Sequence, residues 1–266
     1  MVIATLLSVL FSWFLCLVLI RYARGHAHEY GEFLPQRFHL GAVPRVGGLG
    51  IAIGWVAGLV GVVAIAEISG VNSVVLTLPG RLDVLWLPVL LLPVLGGLWE
   101  DLSQRLSPAI RLTLTSISAL LAIVFLDLSI ERLGFAWMDA HWSAWPILGL
   151  GLAFVAVAGL PHAFNLIDGY NGLAGTVATI ICLAIAHVAL QLGDRPLALM
   201  VLTLAGGTAG FLIWNYPRGL IFAGDGGAYL WGGAIAVACI TLVQRHEEVS
   251  PWFPMLLLIY PVWETV

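Results

Sequence analysis

Nine stretches of this chain run for 15 residues or more without a charged side chain: Met1–Ile20, Val46–Ala66, Val84–Trp99, Leu112–Leu126, Ala140–Ile167, Gly169–Gly193, Pro196–Pro217, Gly226–Gln244 and Val249–Trp263. A helix needs about 20 predominantly apolar residues to cross a bilayer, and these runs reach that length alone or with a few interfacial residues. Only 10% of the 266 residues are charged, against roughly 25% in soluble domains, so most of the surface must face lipid. Barrel strands alternate over about ten residues, and these runs are too long and too uniform for that. The expected fold is all-α, a polytopic membrane bundle of about nine transmembrane helices, forming a single domain over residues 1–266. Met1–Ile20 has no basic segment before it and Arg21 and Arg24 after it, so it reads as a span rather than a cleaved leader. Cys16, Cys182 and Cys239 sit singly in apolar runs and read as small buried hydrophobes.

Four polar segments interrupt the runs: HLGAVPRVGG (39–48), EDLSQRLSPAIR (100–111), NLIDGYNG (165–172) and GDGG (224–227). Each follows an odd-numbered span, so all four fall on one membrane face. All 11 basic residues are Arg. With the amino terminus outside, Arg21, Arg24, Arg37, Arg45, Arg105, Arg111 and Arg218 lie on the motif face, and Arg81, Arg132, Arg195 and Arg245 lie opposite. That bias places the motifs in the cytoplasm. No polybasic tail points to nucleic acid. Trp137, Trp142 and Trp145 cluster near an outer connection, as an interfacial aromatic belt would.

The spacing of Asn165, Asp168 and Asn171, at i, i+3 and i+6, would give them one face of a helical end. Caps use one such residue, whereas three in register suggest a site, since polar groups at membrane depth are functional by default. Asp225 lies among three glycines at the start of an apolar run; it either caps a helix or holds Mg²⁺, which needs one or two carboxylates plus substrate phosphates. Glu100 and Asp101 are adjacent carboxylates at a lipid boundary, a costly pair unless Arg105 or Arg111 compensates it. His39 and Arg45 precede the second span, where Arg45 suits a phosphate or an interfacial snorkelling role. Asn215 either contacts a ligand or caps its span. His162 lies beside Asn165, while His187, in mid-span, reads as a core residue.

Together these segments resemble the polyprenyl-phosphate N-acetylhexosamine-1-phosphate transferases. HLGAVPRVGG looks like that family's first cytoplasmic loop, and EDLSQRLSPAIRL like its segment with an Asp pair, Ser-Pro and Arg-Leu. AFNLIDGYNGLAG resembles its Asn-x-x-Asp-Gly-x-Asp-Gly-Leu segment, and NYPRGLIFAGDGG its Asn and Gly-Asp-x-Gly loop. There are three departures. Glu100 stands for the first Asp of the pair, and Asn171 for an Asp. A His-x-His loop expected beyond the ninth span does not occur by Val266, so the chain is expected to be shortened at its C-terminus and inactive as written.

The resemblance implies transfer of a sugar 1-phosphate from a UDP-sugar to polyprenyl (undecaprenyl) phosphate in the bacterial inner membrane, releasing UMP and starting cell-envelope polysaccharide or O-antigen assembly. It implies Mg²⁺, with Mn²⁺ as a substitute, and leaves room for a homodimer. On this reading Glu100, Asp101, Asp168 and Asp225 are catalytic, with Asp225 and Asp101 on the metal. His39, Arg45, Arg105, Arg111, Asn165, Asn171 and Asn215 bind substrate. Two other readings compete: a multispan carrier of polar lipids or nucleotide-sugars, and a catalytically silent homologue. A carrier would place its polar residues near mid-bilayer, whereas here they lie at span ends.

Overall fold

The computed structural model describes residues 1–23, 43–69, 84–142 and 144–265, and every regular element among them is helical. In chain order these are α1 (Val2–Tyr22), α2 (Gly47–Ser69), α3 (Trp86–Ser103), α4 (Pro108–Leu126), the short α5 (Ala136–Trp142), α6 (Pro146–Ile167), α7 (Leu173–Gln191), α8 (Arg195–Asn215), α9 (Gly224–Arg245), and the short α10 (Trp252–Leu257) and α11 (Ile259–Trp263). Among the described residues, seven helices (α1, α2, α4, α6, α7, α8 and α9) are long and apolar enough to cross a bilayer. The protein is therefore a polytopic helical membrane protein, for which nine spans is an approximate count. The acidic end of α3 lowers its hydropathy, and the expected ninth span is two short helices broken at Leu258.

Sequence signals fix the helix ends that matter. Gln104 adopts a left-handed conformation and its N–H bonds the Glu100 carbonyl, closing α3 in the manner of a left-handed cap. Three residues later Ser107 caps α4 by accepting the Ile110 N–H, with Pro108 in the first turn, a favoured helix start. Asp101 and Arg111 thus lie at the same end of an antiparallel pair. Asp194 caps α8 in the same way, accepting the Leu197 N–H at 3.0 Å. At the same end of the bundle, the other Asp194 oxygen meets Arg245 Nη1 at 3.3 Å and His246 Nε2 at 3.2 Å, tying the α7–α8 turn to the end of α9.

Helix α9 is the axis of the bundle: its residues 224–242 are all buried, and it packs against α2, α3, α6, α7 and α8. Lipid offers no hydrophobic drive between helices, so close packing of small residues and interhelical hydrogen bonds must hold them together. The α1–α2–α8 group shows both. Gly50, Gly54 and Gly58 of α2 lie against Cys16, Ser12 and Ala4 of α1, so closely that a Cβ on Gly54 would stand 2.7 Å from the Ser12 Cβ. Ser8 Oγ donates to the Thr203 carbonyl at 2.6 Å, and Trp55 Nε1 to the Met200 carbonyl at 2.9 Å. The outward faces are apolar, as Phe11 and Phe14 of α1 and Leu120 and Val124 of α4 illustrate. Cys16, Cys182 and Cys239 are free and buried, as expected. His187 departs from expectation: it is exposed, because α7 buries the face bearing Ala178, Cys182 and Ala186.

Candidate active site

The N-terminus of α9 lies where three backbones approach too closely for side chains. The segment before α2 pairs with the segment before α9: Phe222 N–H donates to the Pro44 carbonyl at 2.9 Å, Gly47 N–H to Phe222 at 2.8 Å and Gly48 N–H to Ala223 at 2.8 Å. A Cβ on Gly48 would strike the Gly227 amide, and one on Gly97 of α3 would lie 2.5 Å from the Gly226 nitrogen. The Gly-Gly of the first polar segment and the Gly-rich loop of the last are therefore two sides of one contact.

Four carboxylate and amide groups meet at this junction. Asp101, only 2% exposed, accepts the Asp225 N–H at 2.8 Å through one oxygen and the Gly226 N–H at 2.9 Å through the other. A carboxylate at a helix N-terminus satisfies orphan donors and complements the helix dipole. Those two amides consequently face Asp101 and not a phosphate. Asp225 turns the opposite way: Oδ1 accepts from Asn165 Nδ2 at 2.8 Å, and Oδ2 from Arg111 Nη1 at 2.7 Å. Asp168, at the C-cap of α6, feels the charges of Arg45 and Asp225. Loss of hydration pushes its carboxyl up to about 8, with Arg45 opposing and Asp225 adding to the shift. Burial, then the Asp225 charge, also raises Asp101 above the usual carboxylate range, against the pull of the two amide bonds and Arg45.

Arg111 is built in from several sides. Beyond its ion pair with Asp225, it meets the Tyr229 hydroxyl, and Glu100 adds a favourable charge. Its Nε–H is buried without a partner. Tyr229 packs edge-on against the His162 ring, with centroids 5.3 Å apart, and His162 Nε2 lies 3.1 Å from Thr115 Oγ1. Tyr229 and Thr115 escaped the sequence reading. Tyr229 was findable, because it lies at i+4 from Asp225 and so shares its helix face.

The remaining expected residues fall into place as follows. Asn165 reaches Asp225, but α6 ends at Ile167, so Asn171 does not continue that helical face. Instead Asn171 Nδ2 donates to the Pro217 carbonyl at 3.0 Å, and its Oδ1 is buried without a partner. Asn215 is 5% exposed; it accepts the Gly172 N–H at 2.6 Å and donates to the Ile221 carbonyl at 2.8 Å, fastening the 216–222 loop to the start of α7. Arg105 is exposed. His39 lies outside the described residues. Glu100 accepts the Leu106 N–H at 2.7 Å, which braces the α3–α4 turn. Gln at position 100 retains an acceptor for that amide, so Glu100→Gln is expected to change turnover by no more than about threefold, well under the tenfold that 1.36 kcal/mol would give. A loss of a hundredfold in product formation would instead place the Glu100 charge in the chemistry.

Among the described residues, no three acidic, His or Cys side chains are grouped to hold a metal ion by themselves. A set of two carboxylates and a carboxamide is chemically suited to Mg²⁺, which prefers oxygen and takes only one or two carboxylates when substrate phosphates complete its shell. Each Asp225 oxygen accepts one protein hydrogen bond, and a carboxylate has about four lone-pair sites, so Asp225 retains acceptor capacity.

The model for glycosyl transferase family 4 matches residues 84–243, more than half of the chain. The chain is 30% identical over 211 residues to a phospho-N-acetylmuramoyl-pentapeptide-transferase of Levilactobacillus brevis, covering 76% of this chain and 65% of that protein. It is 27% identical over 237 residues to a probable undecaprenyl-phosphate N-acetylglucosaminyl 1-phosphate transferase of Bacillus subtilis, covering 86% and 60% respectively. A phospho-N-acetylmuramoyl-pentapeptide-transferase of Moorella thermoacetica is 36% identical over 111 residues, 42% of this chain and 34% of that one. The chain thus spans just under two thirds of the length of the first two relatives.

Proposed function

The chain belongs to glycosyl transferase family 4, and from that premise we propose that the full protein transfers a sugar 1-phosphate, an N-acetylhexosamine 1-phosphate, from a UDP-sugar to undecaprenyl phosphate and releases UMP. This reaction starts a cell-envelope polysaccharide in a bacterial plasma membrane. The observation that supports the reading is the convergence on Asp225 of residues from the ends of three other helices: Asp101 of α3, Arg111 of α4, and Asn165 and Asp168 of α6 and its cap. All lie at helix ends on one side of the bundle, where a lipid phosphate and a water-soluble nucleotide can meet.

In the reaction an oxygen of the lipid phosphate bonds to the phosphorus that carries the sugar. The bond from that phosphorus to the bridging oxygen breaks, and UMP leaves with the electron pair. Both partners are anionic, so the site must offset charge. Arg45 and Arg111 supply fixed positive groups, and the unpartnered Arg111 Nε–H is a donor for a phosphate oxygen. Asp225 and Asp168 would hold Mg²⁺, which would neutralise charge developing on the phosphoryl group. Asp101 holds the first turn of α9 and so aims Asp225. Asn165 fixes the Asp225 rotamer from the opposite side.

Membranes containing the full-length protein, incubated with UDP-[³H]GlcNAc and undecaprenyl phosphate, should yield labelled lipid and free UMP; a panel of UDP-sugars then identifies the donor. Uptake of label without labelled lipid would mean a carrier, and neither product with any donor would mean a silent homologue. The arginine bias supports a cytoplasmic site, and on that reading cysteines introduced within 100–111 or 215–225 should resist labelling from outside intact cells. Cysteines at Glu131 and Glu247 should label. The reverse pattern would invert this orientation.

A further inference from the structure

At the end of the bundle remote from Asp225 lies a cavity of about 600 Å³ that the proposed transfer leaves unused. Two helix stripes form its walls: Leu152, Ala156 and Leu160 on α6, spaced by four, and Ala236, Ile240 and Val243 on α9. Trp252 and Met255 of α10 close another side; both are exposed, so the cavity borders lipid. From Ala236 to Gln244 the α9 wall rises about 12 Å at 1.5 Å per residue, not far short of half of a hydrocarbon core of roughly 30 Å. The cavity is one leaflet deep.

Polarity within it is segregated. The charged lining residues, Glu131, Arg132 and Glu247, lie together at the rim beside Gln244, and the deep part is apolar. Arg132 is held in place because its Nη2 donates to the carbonyls of Val243, His246 and Val249 at 3.1, 2.9 and 2.7 Å. A guanidinium has five donor hydrogens, and these bonds use only the Nη2 pair. Glu131 and Glu247 are exposed beside it. A single-tailed hole one leaflet deep, under a rim that carries one cation and two anions, has the shape and charge pattern of a zwitterionic amphiphile. An anionic headgroup would meet two carboxylates for one guanidinium, whereas a headgroup with both a phosphate and an ammonium answers both signs.

We propose that this cavity binds a membrane phospholipid of the ethanolamine type, with one acyl chain between α6 and α9, the phosphate at Arg132 and the ammonium at Glu131 and Glu247. The site is separate from the chemistry at Asp225, so it stands or falls independently of the transferase reading.

Full-length protein, purified in detergent and stripped of lipid, can be loaded with phosphatidylethanolamine, phosphatidylglycerol or undecaprenyl phosphate and examined intact by native mass spectrometry. The expected result is a single-lipid adduct retained about tenfold more with phosphatidylethanolamine than with either other lipid, a difference of 1.4 kcal/mol in affinity. Ala156→Trp, which fills the cavity, should abolish that retention. The paired exposed substitutions Glu131→Lys and Glu247→Lys leave the helix packing untouched and should reverse the preference towards phosphatidylglycerol. An adduct that survives Ala156→Trp unchanged would overturn the proposal, as would a headgroup preference indifferent to the rim charges. So would stronger retention of undecaprenyl phosphate, or absence of any adduct from the full-length protein.

Discussion

Replacing Asp225 with Asn lowers product formation by at least about a hundredfold, the equivalent of about 2.7 kcal/mol in transition-state stabilisation. The change keeps the size of the side chain and removes its charge. Arg111, half-buried and paired with Asp225 at 2.7 Å, then faces an amide that cannot neutralise it. The amide nitrogen also confronts one of two groups, Arg111 or Asn165, that both need an acceptor. A Mg²⁺ ion held as proposed would lose a carboxylate ligand as well. UMP release, measured across a Mg²⁺ titration on the full-length protein, checks this. Turnover near the parent's, with the same Mg²⁺ dependence, would remove Asp225 from the chemistry.

Asp101→Asn is expected to fail for a different reason, and the two variants can be told apart. Both Asp101 oxygens accept backbone N–H groups of α9. An Asn offers one acceptor and points an NH₂ at the second amide, and a buried donor left unsatisfied costs about 1–3 kcal/mol. Loss of the charge opposite the helix dipole adds about 0.3–1 kcal/mol. Asp101→Asn should therefore lower the thermal unfolding midpoint together with turnover, whereas Asp225→Asn should act mainly on turnover. If Asp101→Asn abolishes UMP release and the midpoint does not move, Asp101 acts on the substrate rather than through α9.

The membrane fold was legible in the uncharged runs because bilayer thickness imposes a length that composition alone reveals. Convergence of the polar segments at one end followed from counting spans, and α3, α4, α6 and α9 do bring 100–111, 165–168 and 225 together. Partner choice was not legible. Spacing assigns Asn165 to a helix face, but nothing in NLIDGYNG says that this face meets Asp225, sixty residues away. Asp101 looked like one half of an acidic pair with Glu100, yet the two diverge, one to the α9 amides and the other to Leu106. The divergence arises because neighbouring residues on a helix point about 100° apart. Asn171 escaped its assigned helix face because α6 stops at Ile167. His187 was misjudged because an apolar run does not disclose which of its sides faces lipid.

The burial of α9 has a consequence for how the protein is made. A segment leaving the translocon must ordinarily be content in lipid before it finds neighbours. This one, whose hydropathy of 1.7 is the lowest of the seven apolar helices, has no face that the finished molecule presents to lipid along its first 19 residues. It begins with Gly-Asp-Gly-Gly, a start whose amides depend on a carboxylate from α3 and whose carboxylate depends on α4 and α6. Among the described residues, seven long helices precede it, among them all five against which it packs. Synthesis thus delivers α9 to a socket whose walls are already in the membrane, and the polar groups of the candidate site are neutralised as it docks. Biogenesis and assembly of the site become one event.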